Sequence, residues 1–164
     1  MKNVIIYTRV STEEQKEKGF SLRHQKEQLE NYCNQNGYNI LCHFEDDYSA
    51  KTFSARPEFQ KLLRYAKANQ NKIDALLFLK WDRFSRNIEA AYRMIREFKE
   101  MGIEVNSMEQ PLDLSQPDSK VLLAVYLGSV ETFRRHNARD WSMSFLRGVI
   151  LCFNLHFVLD CVCL

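Results

Sequence analysis

Four short apolar runs separated by longer amphipathic stretches constrain this chain more than any other feature. Residues 3–10, 38–44, 73–79 and 103–108 are too short for buried helices, and the first of them is β-branched and apolar. Between them lie segments with helical spacing. Ser21 is placed to cap a helix running to about Asn36, with Leu22, Leu29, Tyr32 and Cys33 near one face and Gly37 as its stop. Pro57 sits where a first helical turn tolerates it, and residues 58–69 continue that helix. Residues 88–101 put Ile88, Ala91, Tyr92, Ile95 and Phe98 on one side, and Gly102 ends the run. The apolar stretch 73–79 reads as a central strand buried on both faces. Strands alternating with helices predict an α/β fold: a mostly parallel sheet of four to five strands between helices on both faces. A further helix is predicted to start near residue 118 and reach 135.

In sheets of this kind, ligands bind beyond the carboxyl ends of the strands. That rule directs attention to Arg9–Gln15, after the first strand, and Lys80–Arg86, after the third. Ser11 with Glu14 three residues on is by itself a capping box. Its company changes the reading. Tyr7, Arg9 and Ser11 alternate onto one side of the pleat, and a guanidinium can grip a phosphate in bidentate fashion. A serine is a weak nucleophile without a base or strong electrostatic help. There is no nearby histidine and no G-x-S-x-G elbow, so an acyl-transfer triad is not indicated. A serine among arginines points to phosphate chemistry. The second cluster, Lys80-Trp81-Asp82-Arg83-Phe84-Ser85-Arg86-Asn87, could be a solvated turn, with Asp82 or Asn87 capping the next helix. As a site, it would set Arg83 and Arg86 on one helical face, flanked by Lys80 and Asp82. Arginines can neutralise a phosphoryl transition state without a metal. No cofactor and no metal are expected.

Charge bears on the partner. There are 23 Lys and Arg against 21 Asp and Glu, a net charge of +2, which is not the signature of a dedicated DNA-binding domain. Any nucleic-acid contact must come from local concentration. The five cysteines show no metal-ligand spacing, and the first apolar run is too short for an export signal. The expectation is a cytoplasmic, reduced protein with no membrane span. The last third differs. No lysine follows Lys120, three of the five cysteines fall in 152–163, and the hydrophobic end has no clean period. Residues 136–164 read as an atypical tail, the product of a frameshift or truncation.

Taken in order, YTRVST with Gln15, then SLRHQ, then Ala55-Arg56-Pro57, then KWDRFSRN, resemble the catalytic domain of the serine site-specific recombinases, the resolvase/invertase family. The resemblance covers roughly residues 1–135. It implies a resolvase-like three-layer fold followed by a long helix, with Glu131-Thr132-Phe133-Arg134-Arg135 echoing that helix's acidic-then-basic turn. It implies Ser11 as nucleophile and Arg9 as its phosphate-gripping neighbour. Tyr7, Gln15 and Gln25 become polar site residues, and Arg56 the arginine of the mobile loop. Asp82, Arg83 and Arg86 form the D-R-x-x-R cluster, with Lys80 the basic residue before it. It implies DNA cleavage through a 5′-phosphoserine without metal or ATP. Its partners are double-stranded DNA, a homodimer and a synaptic homotetramer. The family's DNA-binding region is not recognisable here, so this chain is expected to be a truncated form of reduced or absent activity. Two other readings compete: a non-catalytic partner or remnant of a recombinase, and a small-molecule phosphate enzyme. The missing glycine-rich phosphate loop counts against the last.

Overall fold

The computed structural model describes residues 1–10, 22–46 and 52–136, with side chains to 127. Two units divide the chain, 1–131 and 132–164, and the fold described is that of the first. Its elements run β1 (Asn3–Arg9), α1 (Leu22–Gln35), β2 (Asn39–Asp46), α2 (Pro57–Ala68), β3 (Ala75–Phe78), α3 (Trp81–Phe84), α4 (Ile88–Glu100), β4 (Glu104–Ser107) and α5 (Pro117–His136). The strands form one sheet in the order β2-β1-β3-β4, and all three pairings are parallel. β1 and β3, the two central strands, lie where the strand order reverses, which is where such sheets open a ligand crevice.

Period-two alternation divides the core between two faces. Val4, Ile6, Ala75 and Leu77 pack with Leu29 and Cys33 of α1. Ile5, Tyr7, Leu76, Phe78 and Val105 pack with Phe59 and Leu62 of α2, and with Ala91, Met94 and Phe98 of α4. The three layers expected from the alternation are therefore present. β3 is buried at all four positions, as its unbroken apolar run required. The inward face of α4 differs in one respect. Met94 joins Ala91 and Phe98 in the core, while Ile88, Tyr92 and Ile95 flank it half-buried.

The helix ends follow local chemistry. Gly37 and Gly102 have φ of 66° and 76°, the left-handed region that L side chains avoid. After α4, the Gly102 N–H donates to Lys99 O and the Ile103 N–H to Phe98 O, at 3.0 and 2.9 Å. Buried Ile103 then rests in the core cluster that holds Phe98, completing a Schellman stop. Ser21, expected as the α1 cap, lies outside the described residues, as do 137–164 of the tail.

Candidate active site

Tyr7 and Arg9 alternate onto the same face at the end of β1, and both are buried. The Tyr7 hydroxyl donates to Asp46 Oδ2 at 2.9 Å. Asp46 ends β2 opposite Arg9 in register. The same carboxylate accepts the amides of Glu58 and Phe59, each at 3.1 Å. This is how α2 is capped. Its N-cap residue, Arg56, makes no side-chain capping bond, and Pro57 brings no N–H, so a carboxylate from another strand takes the first two free amides. The Asp46 carbonyl accepts the Val10 amide at 3.3 Å, next to Ser11. Burial pushes the Tyr7 phenol above its ordinary pKa of 10, against the opposing pull of Arg56. Tyr7 is therefore a neutral hydroxyl at physiological pH. Sequence reading missed Asp46. The signal was indirect: a helix that begins Arg-Pro needs an acceptor from elsewhere.

α3 is a four-residue helix, too short to be stable alone. Its carbonyls are held from outside. Arg9 donates Nη2 to Asp82 O at 2.6 Å and Nε to Arg83 O at 2.8 Å. Arg56 donates Nη1 to Phe84 O, and its guanidinium lies 4.7 Å from the centre of the Phe53 ring. Arg9 is itself bracketed by Gln25. Its N–H donates to Gln25 Oε1 at 3.4 Å, and Gln25 Nε2 donates to Arg9 O at 3.1 Å.

Arg83 and Arg86 do not share a helical face, contrary to the spacing argument. Ser85 is extended, with φ −149° and ψ 154°, and ends α3 before Arg86. Its hydroxyl donates to Asn87 O and accepts the Asn87 N–H, and Asn87 then caps α4 through Ala90. These short polar side chains compete with the backbone for helical hydrogen bonds. The capping reading of Asn87 was thus correct, alongside the cluster rather than instead of it.

The cationic groups still converge. The Arg9 guanidinium is lowered to about 10, first by burial and then by Arg56, Arg86 and Arg83. Asp82 Oδ2 lies 3.2 Å from Arg83 Nη2. The other oxygen, Oδ1, is buried and accepts no hydrogen bond among the described residues. Arg9, Arg56, Arg83 and Arg86 thus stand close enough for the other three to act on Arg9, with Asp82 paired to Arg83 and Asp46 bonded to Tyr7, a local excess of positive charge suited to an oxyanion. Lys80 sits beside the cluster, paired with Glu109 at 3.1 Å. Among the described residues, no three His, Cys, Asp or Glu side chains gather as a metal-ligand set. Ser11 and Gln15 lie outside the described residues.

The sequence pattern of the family described as "Resolvase, N terminal domain" matches residues 4–147. The chain belongs to the resolvase family. Site-specific DNA recombination is that family's reaction class. The fold of this resolvase-family chain is similar to the N-terminal catalytic domain of TP901-1 integrase, at TM-score 0.62 and 27% identity, over 84% of this chain and 100% of that one. It is also similar to a resolvase family site-specific recombinase from Streptococcus pneumoniae, at TM-score 0.61 and 26% identity, over 94% and 99% of the two chains. A 64-residue stretch, 39% of this chain, is 41% identical to 78% of an uncharacterized immunity region protein of Bacillus phage phi105. No helix among the described residues is long and apolar enough to cross a membrane.

Proposed function

We propose that this domain cuts and rejoins DNA strands, with Ser11 as nucleophile. The observation that carries the reading is the convergence of Arg56, Arg83 and Arg86 on Arg9, which ends β1 two residues before Ser11 in the chain. Ser11 Oγ attacks the phosphorus of a backbone phosphodiester. Its proton leaves as the new P–O bond forms, and the 3′-oxygen departs with a proton. The products are a 5′-phosphoserine and a free 3′-hydroxyl. The reverse attack by a 3′-hydroxyl reseals the strand, so the phosphoester energy is retained and no ATP is consumed.

Arg83 and Arg86 neutralise the non-bridging oxygens as charge develops, the work a metal would otherwise do. Asp82 orients Arg83 through one oxygen and offers the other for proton transfer. Arg9, fixed at its backbone by Gln25, holds α3 through one edge of its guanidinium and faces the phosphate with the other. Tyr7 and Arg56 fix the site walls through Asp46 and Phe84. Gln15 completes the polar set, and Lys80 adds attraction for the backbone. Double-stranded DNA is the substrate. The exposed apolar residues of α5, Val121, Leu122 and Val125, at 65%, 39% and 50% exposure, are the surface on which subunits would assemble into dimers and tetramers.

The test is DNA affinity as a function of salt. Each lost phosphate contact lowers the log–log slope by about one. Arg83→Ala and Arg86→Ala are each expected to do so. An unchanged slope in both variants, or no salt-dependent binding by the native chain, would count against the proposal.

A further inference from the structure

α3 carries Asp82 and Arg83, yet four residues cannot hold a helix in place. Arg9 and Arg56 secure its carboxyl end. The amino end has a different holder. Lys80, its N-cap residue, makes no side-chain capping bond. Instead Gln110, beyond the end of β4, reaches across: its Oε1 accepts the Trp81 N–H at 3.2 Å. Its backbone carbonyl also accepts the Trp81 indole Nε1–H at 2.9 Å. Gln110 is in turn tied to the sheet. Its N–H donates to Ser107 Oγ at 3.2 Å, and that hydroxyl donates to Leu79 O, one residue past the end of β3, at 2.8 Å. The Glu109 N–H donates to the same carbonyl at 3.0 Å. A closed circuit of hydrogen bonds therefore runs from β3 through Ser107 and Gln110 to Trp81 and back into the chain that leaves β3. Trp81 is fully buried, against Phe78 at 5.1 Å.

We infer that Gln110 is a positioning residue for strand cleavage, acting through Trp81 to set where α3 presents Asp82 and Arg83. The inference rests on the chemistry proposed above. Gln110 acts as the N-cap that Lys80 does not provide. Its side-chain bond fixes the first amide of α3, and its backbone bond fixes the indole that anchors the same residue. Because the side chain reaches α3 rather than the site opening, its loss changes the geometry of the cluster without removing a cation.

The experiment uses the full chain with a pool of short duplexes, randomised across their centre and nicked beside each candidate cleavage point. Adduct formation is followed on denaturing gels. Gln110→Ala is expected to slow the Ser11–DNA adduct about tenfold, the scale of one lost helix cap. DNA affinity should stay within about twofold and the salt slope should not move, since no phosphate contact is lost. Gln110→Glu, which keeps an acceptor for the Trp81 amide, should return the rate toward native. In the free protein, the Arg83 and Ser85 amides, bonded to Lys80 O and Trp81 O, should exchange about tenfold faster in Gln110→Ala. Should alanine cost the fold, Gln110→Asn withdraws the same amide by one methylene and tests the same contact. Unchanged exchange at Arg83 and Ser85 overturns the inference whatever the DNA result. Faster exchange with an unchanged adduct rate also overturns it. If the native chain forms no adduct while exchange quickens, the strand-cleavage reading fails, and the catalytic part of this inference fails with it.

Discussion

Replacing Asp46 with alanine removes three hydrogen bonds from one buried carboxylate: the Tyr7 hydroxyl and the amides of Glu58 and Phe59. Two costs follow. Losing the cap of α2 is worth about 1 kcal/mol. Leaving the Tyr7 hydroxyl buried without an acceptor costs about 1–3 kcal/mol. Their sum, about 2–4 kcal/mol, corresponds to a fall in Tm of about 6–12 °C for a domain of this size. The arginine cluster also loses one of its two carboxylates, so the cost falls on the site as well as on the helix. A double-mutant cycle isolates the hydroxyl. In a Tyr7→Phe background there is no O–H to strand, so Asp46→Ala should cost about 1–3 kcal/mol less. Denaturant unfolding of the four proteins measures this. Additive behaviour, or a single-mutant loss below about 0.5 kcal/mol, would refute the hub role given to Asp46.

His43 predicts a pH dependence. Its Nε2 lies 2.9 Å from Thr8 Oγ1, and burial holds its pKa below the ordinary 6.5, against the opposing effect of Glu45. As pH falls below 6.5, the unfolded chain takes up a proton that the folded chain resists, so stability declines in that window and levels off above it. His43→Gln should flatten the stability–pH curve there, and an unaltered curve would contradict the assignment. Gly102→Ala should lower stability by about 1–2 kcal/mol through forced left-handed backbone alone, because an added Cβ meets nothing within 4 Å. The denaturant midpoint should move with no change in m, and a neutral result would remove the Schellman stop from the account.

Much of the fold was legible because apolar period fixes which way each residue faces. Val4 and Ile6 alternate with Ile5 and Tyr7, and the two sets lie in different core clusters. Pro57 and Gly102 marked helix ends through their own backbone preferences. What sequence could not show was pairing at a distance. Asp46 reaches Tyr7 across 39 positions, and Gln110 reaches Trp81 across 29. Neither residue belongs to a motif, and each acts by accepting a backbone or hydroxyl proton that many residue types could accept. The split of KWDRFSRN was also hidden. Its spacing suits one helix, but Ser85 and Asn87 satisfy each other and break it. Arg9 was read as a phosphate grip from its charge and place, and Arg56 as a loop arginine from the resemblance. In the folded chain they are 1% and 2% exposed and bind the carbonyls of α3. Charge announces affinity for an anion, but only packing shows which oxygen is met first.

Covalent trapping tests the central claim most directly. The native chain and Ser11→Ala would be incubated with the nicked duplex pool, then denatured and separated. A protein–DNA band in the native lane, absent from Ser11→Ala and releasing a phosphoserine-linked peptide on digestion, is the predicted result. A band that persists in Ser11→Ala would show that another residue attacks the strand. No band from the native chain, under conditions where it binds the same duplexes, would contradict the claim that this arginine cluster cuts DNA.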